Sequence, residues 1–285
     1  MSEKVKIFIE LTRLNKPIGF MLLFWPCVWG LTISYDFSLP LNTYFIYAFL
    51  FFSGSVLMRS AGCIVNDISD RKIDKLVERT KNRPIASEKI SVFNATIYAT
   101  ILCLIAFLVL INFNKFTIYM ALLSMPLAFT YPLMKRFTYW PQLFLGITFN
   151  YGLVLAWISI QNEVSIVPII FYLGATFWTL GYDTIYGYQD INDDEIIGVK
   201  STSIKFKNNI KFFVCISYLI TSTLLMYLFL KELGKNMFSL LVLLFIISLI
   251  YQIINFNKNE PKTCLNSFKI NNYSGLFLFL SFITI

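Results

Sequence analysis

The stretch GCIVNDISDRKIDKLVERTKNRPIAS, from Gly62 to Ser87, places three carboxylates directly after a long apolar run. Asp67, Asp70 and Asp74 follow a segment that begins near residue 41 and is long enough to cross the ~30 Å hydrocarbon core of a bilayer. A second stretch, GYDTIYGYQDINDDEIIGVKST at 181–202, repeats this arrangement farther along the chain. Acidic residues at the ends of two apolar segments indicate a site at the edge of a membrane.

The composition is that of a membrane protein. Of 285 residues, 57% are hydrophobic and 14% are charged, whereas about a quarter of the residues of a soluble domain are charged. Apolar runs of about 17–25 residues recur along the chain, and the alternation expected of barrel strands is absent. We predict an all-α, polytopic membrane protein in which residues 1–285 form a single transmembrane domain.

Nine apolar segments are candidate membrane spans. They lie at about 17–35, 41–65, 91–112, 116–134, 139–160, 165–186, 210–230, 236–255 and 273–285. The last one would reach only ~20 Å as a helix, so it is predicted as a partial crossing or as a span cut short. The N-terminal segment lacks the small-residue cleavage site of a signal peptide, which predicts that the first span is retained.

The basic residues are distributed unevenly between the two sides of the predicted spans. All except Lys115, Lys231 and Lys235 fall on one side, which includes the N-terminus and the loop after span 2 with its flanks, from Arg59 to Lys89. The positive-inside rule makes this side cytoplasmic. We therefore predict a multi-pass protein of a bacterial inner membrane, with the N-terminus and the mouth of the site in the cytoplasm. The net charge of +8 then reflects the basic loops on the cytoplasmic side. Because the sequence has no arginine-rich or aromatic binding module, no nucleic acid partner is expected.

The residue types limit which metal ligands and catalytic groups the site could use. The chain has no histidine, which excludes imidazole metal sites and histidine-based acid–base catalysis. Its five cysteines are scattered without a CxxC pair, so they are predicted to be small buried side chains in a reducing environment. Carboxylates are therefore the expected metal ligands.

Helical spacing aligns the acidic side chains. In the first stretch, ~100° per residue brings one group to one side of a helix, namely Asn66, Asp67, Asp70 and Asp74. In the second stretch, Asp183, Asp190 and Asp194 fall within ~40° of one another if the helix continues unbroken. Two carboxylate-lined faces at one membrane level require cations.

Magnesium and a diphosphate satisfy that requirement together. Mg²⁺ prefers oxygen ligands and usually shares them with water and phosphate. Arg79, Arg83 and Lys200 lie beside the carboxylates and would bind the phosphate groups. Since a neutralised diphosphate is a good leaving group and the rest of the substrate must lie in the lipid bilayer, a polyprenyl diphosphate fits both requirements.

Other readings of the acidic clusters compete with this one. One juxtamembrane charge cluster is often a solvated loop end, but two clusters in register with basic residues downstream disfavour that interpretation. Intramembrane phosphotransfer to an alcohol also uses paired aspartates with Mg²⁺, but the Asp-Gly and Ala-Arg pairs of its motif do not occur here. A transporter is a further alternative, although a cation pathway needs carboxylates through the whole membrane depth.

Four stretches carry a resemblance to a known family. NDISDRKID with RTKNRP, within Asn66–Pro84, resembles the motif NDxxDxxxD followed by RTxxRP of the UbiA superfamily of intramembrane prenyltransferases. The stretch YDTIYGYQDINDDEIIGVKST is similar to the second motif of the branch that prenylates 4-hydroxybenzoate in ubiquinone biosynthesis. RLNKPIGFMLLFWPCVWGL and YPLMKRFTYWPQLFLGITFNYG also agree, and the match runs from Arg13 to about Thr202. Asn15 stands where aspartate is expected.

The resemblance implies a bundle of nine helices around a central cavity, with the aspartate motifs on the second and sixth. Asn66, Asp67, Asp70 and Asp74 would hold one Mg²⁺. Asp190 and Asp194 would hold another. Arg79, Arg83 and Lys200 would contact the diphosphate.

The resemblance also implies a reaction and an acceptor site. A polyprenyl group would pass from polyprenyl diphosphate to the carbon ortho to the hydroxyl of 4-hydroxybenzoate. The residues predicted near the acceptor are Arg13, Arg136, Tyr182, Asp183 and Tyr186. Sibling enzymes with other acceptors, including naphthoate, homogentisate, haem and chlorophyllide, remain the alternative within this superfamily.

Overall fold

The fold of residues 2–285 is known from a computed structural model and consists of helices joined by short loops. These residues form thirteen α-helices and no β-strand. The helices are α1 (Glu3–Thr12), α2 (Ile18–Ser34), α3 (Leu41–Asp74), α4 (Val92–Leu110), α5 (Lys115–Thr130), α6 (Met134–Phe137), α7 (Pro141–Gln161), α8 (Ile166–Gly187), α9 (Ile191–Ile197), α10 (Thr202–Lys205), α11 (Ile210–Leu228), α12 (Met237–Asn255) and α13 (Pro261–Ile283).

Most of the long helices are able to cross a membrane. Seven segments within residues 2–285 are long and apolar enough, and they contain α3, α4, α5 with α6, α7, α8 with α9, α11 and α12. Of the other two long helices, α2 is apolar but has 17 residues, and α13 is polar in its first half. The predicted all-helical membrane architecture is confirmed, whereas the count of nine spans stays a prediction.

The outer faces of the bundle are apolar. Phe49 on α3, Phe93 on α4 and Leu123 on α5 are 68%, 74% and 69% exposed in the isolated chain. Side chains of this kind are stable on a helix surface that faces lipid hydrocarbon, because lipid tails are as apolar as they are. The chain is a multi-pass membrane protein.

Helix α3 extends beyond the membrane. Its 34 residues reach ~51 Å, well over the ~30 Å of the hydrocarbon core. The predicted span ends at residue 65, but the helix continues to Asp74 because the first motif contains neither glycine nor proline. Arg71 and Lys72 in its last turn also favour the negative end of the helix dipole. Arg59, predicted at the edge of a loop, lies well inside this helix.

Close contacts between backbones hold the centre of the bundle. Helix α7 packs against both α2 and α8. A Cβ on Gly30 would lie 2.3 Å from the carbonyl oxygen of Leu153, and one on Gly146 would lie 2.8 Å from that of Thr176. Small residues at such positions are typical of membrane helix pairs, which associate through close packing.

Helix α13 corrects the prediction for the last span. It covers Pro261–Ile283, and its 23 residues reach ~35 Å, whereas the sequence predicted 273–285. Its polar first half lowers the hydropathy of the segment. Asn271 in that half is nevertheless fully buried, because Gln252 and Trp178 satisfy its amide with hydrogen bonds.

Candidate active site

A cavity of about 310 Å³ lies where α3 and α8 end. Side chains from both acidic stretches line it: Asn66, Asp70, Asp74, Asp183, Asp190 and Asp194. Among the other predicted site residues, the lining includes Arg13, Arg79, Arg83, Tyr182, Tyr186 and Lys200. The two motifs, separated along the chain, therefore share one cavity at one end of the bundle.

Arginine side chains hold two buried carboxylates of the first motif. Arg13 Nη2 donates to Asp67 Oδ1 at 2.6 Å. Arg83 Nη1 donates to the same oxygen at 3.1 Å and to Asp74 Oδ2 at 2.9 Å. Asp67 is not among the described residues that line the cavity, but the two arginines that it holds are. Its position is therefore behind the wall of the cavity.

The third carboxylate of this motif pairs with a residue that the sequence analysis did not assign. Asp70 is 1% exposed, and Lys135 Nζ donates to its Oδ2 at 2.5 Å. The neighbouring Arg136 was predicted to contact the acceptor, but it lies outside the lining of the cavity and donates to the carbonyl oxygen of Ser69 at 2.6 Å. Adjacent residues on a helix point ~100° apart, so Lys135 lines the cavity, whereas Arg136 comes no closer than 4.0 Å to Asp70 Oδ1.

The second motif is divided by a change in backbone conformation. Helix α8 ends at Gly187, and a 3-10 turn leads into α9. The helix does not continue unbroken to Asp194, so the condition for a single helical face is not met, although Asp183, Asp190 and Asp194 still line one cavity. Glycine is a poor helix former, and α10 packs so closely that a Cβ on Gly187 would lie 2.8 Å from Ser203 Oγ. Ser203 Oγ also donates to the carbonyl oxygen of Thr184 at 2.7 Å, the acceptor that the next helical N–H would use, and the helix ends here.

Arg79 connects the loop after α3 with the second motif. Its Nε donates to Asp190 Oδ1 at 2.7 Å and its Nη2 donates to Oδ2, which makes a bidentate pair. Burial alone would lower the pKa of Arg79, but this hydrogen bonding and the neighbouring charges raise it above its ordinary value. The backbone N–H of Glu78 also donates to Asp193 Oδ2 at 3.1 Å, so the loop contacts the motif at two points.

The first motif suits a hard divalent cation such as Mg²⁺. Its donors are carboxylate and amide oxygens, which Mg²⁺ prefers. Asp70 Oδ1 is buried without a hydrogen-bond partner within residues 2–285, and a buried acceptor of this kind is rare unless something satisfies it. As the side chains stand, the described residues form no cluster of three or more acidic or cysteine ligands. Lysine and arginine neutralise the carboxylates instead, and a metal ion would compete with them.

A second, largely apolar cavity of about 390 Å³ adjoins the first. Arg59, Tyr131 and Phe149 line both cavities. The Arg59 guanidinium carbon lies 5.4 Å from the centre of the Phe149 ring, and its Nε is buried without a partner within residues 2–285. Arg59 is not among the predicted site residues, but an arginine inside an apolar run, two turns before Asn66 on the same helical face, signals function.

Lys200 lies at the rim of the polar cavity. Its Nζ donates to the carbonyl oxygen of Phe137 at 3.3 Å and lies 5.7 Å from the centre of the Tyr139 ring. Its backbone N–H donates to the carbonyl oxygen of Lys135 at 2.8 Å, which fixes the segment after α9 beside α6. The ammonium group is therefore held beside α6, where it lines the same cavity as the carboxylates.

The helical bundle, with two acidic motifs around one cavity, is the arrangement that the resemblance to intramembrane prenyltransferases implies. The profile of the UbiA prenyltransferase family matches residues 23–282, and the chain belongs to this family. The resemblance seen in the motifs is thereby confirmed.

Two curated relatives match almost the whole chain. The mitochondrial 4-hydroxybenzoate polyprenyltransferase of Drosophila pseudoobscura pseudoobscura is 39% identical over 291 residues, which cover 98% of this chain and 70% of that protein. The 4-hydroxybenzoate octaprenyltransferase of Vibrio atlanticus (strain LGP32) is 39% identical over 285 residues, which cover 97% and 96%.

Solved structures share the fold. A UbiA homolog from Aeropyrum pernix K1, in its apo form, superimposes with a TM-score of 0.78 at 22% identity and covers 93% of this chain and 96% of its own. A UbiA homolog from Archaeoglobus fulgidus bound to GPP and Mg²⁺ gives a TM-score of 0.71 at 18% identity, with 98% and 100% covered. At these identities the likeness establishes the fold alone.

Proposed function

We propose that this chain transfers a polyprenyl group from polyprenyl diphosphate to the ring carbon ortho to the hydroxyl of 4-hydroxybenzoate, with release of diphosphate, in ubiquinone biosynthesis. One observation carries the proposal: six motif side chains and seven basic side chains line a cavity that adjoins an apolar one. The names of the Drosophila and Vibrio relatives support this choice of acceptor.

Mg²⁺ is the proposed cofactor. Asn66, Asp70 and Asp74 would hold one ion, and Asp190 and Asp194 the other, because these side chains line the cavity and carry the oxygen donors that Mg²⁺ prefers. When bound, Mg²⁺ neutralises the diphosphate and makes it a better leaving group. The Archaeoglobus homolog with GPP and Mg²⁺ supports a metal in this fold.

The basic side chains bind the diphosphate in this proposal. Arg79, Arg83, Lys135 and Lys200 line the cavity and present guanidinium and ammonium groups that suit phosphate oxygens. Each of these side chains would give up part of its present hydrogen bonding and bind phosphate oxygens instead. Asp67, predicted as a metal ligand, is assigned another task here, since it lies behind the lining and holds Arg83 and Arg13 in position.

The acceptor carboxylate needs a fixed cation, and Arg59 fits this role better than Arg136. Arg59 lines the junction of the polar and apolar cavities and has an unpartnered Nε, whereas Arg136 lies outside the lining. In this position Arg59 would place the phenol ring beside the allylic carbon. Asp183 lines the same cavity and is the carboxylate proposed to receive a proton from the acceptor.

The reaction then proceeds by loss of the leaving group. The bond between the allylic carbon and the diphosphate oxygen breaks, and its electron pair leaves with the diphosphate. The ring carbon ortho to the hydroxyl attacks the cation, a carbon–carbon bond forms, and the ring loses a proton. Removing the hydroxyl proton would increase the electron density of the ring, so a carboxylate close to the acceptor favours the attack.

A radiochemical assay tests the proposed function. Membranes containing the protein, a polyprenyl diphosphate and labelled 4-hydroxybenzoate should form lipid-soluble label with Mg²⁺ and none with EDTA. Asp190→Asn, which alters a lining carboxylate, should reduce the rate at least about 100-fold. Asp193→Asn is the matched control, because Asp193 lies outside the lining and accepts a backbone N–H of the loop. It should retain at least half of the activity.

Three other results would change the assignment. Product with naphthoate or homogentisate alone would move the function to a sibling enzyme. Equal loss in Asp190→Asn and Asp193→Asn would remove the special role of the lining carboxylate. Flux of substrate in sealed vesicles with no chemistry would favour a transporter.

We also propose a bacterial inner membrane location with the N-terminus and the cavity mouth in the cytoplasm. The uneven distribution of basic residues supports this orientation. In a variant without the native cysteines, a membrane-impermeant thiol reagent should label Lys231→Cys in intact spheroplasts and Lys81→Cys only after permeabilisation. The reverse pattern would invert the topology.

A further inference from the structure

Helix α13 contributes an aromatic side chain to the wall of the polar cavity. Phe268, four residues after Cys264 in a segment that the sequence analysis left outside the predicted spans, lines this cavity with Tyr182 and Tyr186. Its ring centre lies 4.4 Å from that of Tyr186 and 5.6 Å from that of Tyr182. Three rings from two helices thus form one continuous surface.

We propose that Phe268 completes an aromatic wall, formed with Tyr182 and Tyr186, that shields the allylic cation from water until the acceptor ring attacks it. The inference rests on the proposed function and adds a residue from α13 to it. The faces of aromatic rings carry partial negative charge, so they stabilise a cation without bonding to it. They also occupy the space that water would need.

Two fates of the cation make this role measurable. Attack by the acceptor ring forms a carbon–carbon bond and releases the ring proton. Attack by water forms a carbon–oxygen bond, and loss of a proton then gives the free prenyl alcohol. Both follow the same departure of diphosphate, so the ratio of prenylated acceptor to prenyl alcohol reports how well the wall excludes water.

A buried amide pair holds this part of α13 in place. Asn271 Nδ2 donates to Gln252 Oε1 at 2.9 Å, and Gln252 Nε2 donates back to Asn271 Oδ1 at 3.2 Å. Trp178 Nε1 donates to the same Asn271 oxygen at 2.8 Å, and Tyr218 donates its hydroxyl to Gln252 Oε1 at 2.6 Å. Each of these side chains is at most 3% exposed. A fully satisfied network of this kind in an apolar interior favours one arrangement of the helices.

The amide pair supports two members of the wall. Asn271 lies three residues after Phe268, hence on the same side of α13. The ring of Trp178, which donates to Asn271, lies 5.0 Å from that of Tyr182. Asn271 and Gln252 are therefore positioning residues, which act on the cation only through the rings that they hold.

A pair of variants on α13 tests the wall. Phe268→Leu removes the ring but keeps an apolar side chain, and the ratio of prenylated acceptor to prenyl alcohol should fall about tenfold, the size expected for one cation–ring contact. Phe282→Leu is the matched control, because Phe282 is on the same helix and packs against two aromatic rings, Phe171 and Phe229, outside the cavity. Its ratio should remain that of the wild type. Loss of folded protein lowers both products equally and does not change the ratio.

Three further variants, at the ring itself and in the hydrogen-bond network that supports it, complete the test. Phe268→Tyr keeps an aromatic face and should restore the wild-type ratio. Asn271→Ser should lower the ratio about threefold, whereas Tyr218→Phe, which removes only the outer hydrogen bond of the network, should leave it unchanged.

Equal ratios in Phe268→Leu and Phe282→Leu would overturn the inference, as would a Phe268→Tyr ratio as low as that of the leucine variant. A wild-type protein that releases no diphosphate would overturn the proposed function and this inference with it. Normal transfer with unchanged ratios would overturn the inference alone.

Discussion

The first aspartate motif lies on the last turns of one unbroken helix, whereas the second continues past the end of its helix into a 3-10 turn and a short helix. In the first, Asp67, Asp70 and Asp74 are at most 5% exposed and are paired with basic side chains. In the second, Asp190 is less buried, and its bidentate partner Arg79 is 40% exposed, whereas Arg83, from the same loop, is 21% exposed.

This difference separates a fixed half of the site from an adjustable half. Carboxylates on a continuous helix keep their spacing whether or not a ligand is bound, because the helical hydrogen bonds fix the backbone. The second motif depends on a loop contact that the diphosphate would have to rearrange, since Arg79 is needed for both. The two halves should therefore respond differently when their arginines are removed.

The largest difference is expected between Arg83→Ala and Arg79→Ala. Arg83 bridges two buried carboxylates, Asp67 and Asp74, and its loss leaves Asp74 without its basic partner and Asp67 with Arg13 alone. We expect the free energy of unfolding to fall by about 3 kcal/mol and the rate to fall at least about 100-fold. Arg79 is 40% exposed, so its removal should change stability by less than about 1 kcal/mol and raise the KM for the diphosphate about tenfold.

Thermal unfolding in detergent and initial rates at varied donor concentration measure both effects. Arg83→Lys is a useful control, because it keeps the charge but loses the forked geometry, and it should recover part of the stability. If Arg79→Ala proved as unstable as Arg83→Ala, the contrast between a fixed and an adjustable half would not hold.

The same contrast extends to the acceptor, through Arg59 inside α3 and Arg136 outside the cavity. Arg59→Gln should raise the KM for 4-hydroxybenzoate about tenfold or more with little change in the KM for the donor, because it removes the unpartnered cation at the junction of the two cavities. Arg136→Gln should leave both constants within about twofold, since its main contact is a carbonyl oxygen of α3. Steady-state kinetics with each substrate varied in turn measure both KM values. A rise in the KM for 4-hydroxybenzoate alone in Arg136→Gln would return the acceptor role to Arg136.

Local patterns predicted the helical membrane class, the order of the motifs and most of the span positions. Apolar runs and motif spacing are properties of short stretches, so they are visible without the partner helices. The first half of α13 was missed for the opposite reason. Asn271 looks like a loop residue until Gln252 and Trp178, distant in the chain, are known to pair with it.

Where the site differs from the sequence-based expectations, the causes are also tertiary. The choice between Lys135 and Arg136 depends on the rotation of a four-residue helix, which spacing cannot provide. The end of α8 depends on Ser203, which packs against Gly187 from another helix. Arg59 could have been identified from the sequence alone, because burying an arginine in an apolar span is costly and such a residue is usually functional.

The smallest predicted effect concerns the backbone that makes the second half adjustable. Gly198 ends α9 with a φ of 81°, a left-handed conformation that costs other residues about 1 kcal/mol. Gly198→Ala should lower the free energy of unfolding by about that amount, whereas Gly198→Asn should lose less than half of it, since asparagine tolerates this conformation. Because Asp194 lies one turn before Gly198, the alanine variant should also raise the Mg²⁺ concentration needed for half-maximal activity about twofold. Unfolding in detergent and Mg²⁺ titration of the rate measure the two effects, and equal behaviour of the two variants would show that the turn after the second motif is not under this backbone constraint.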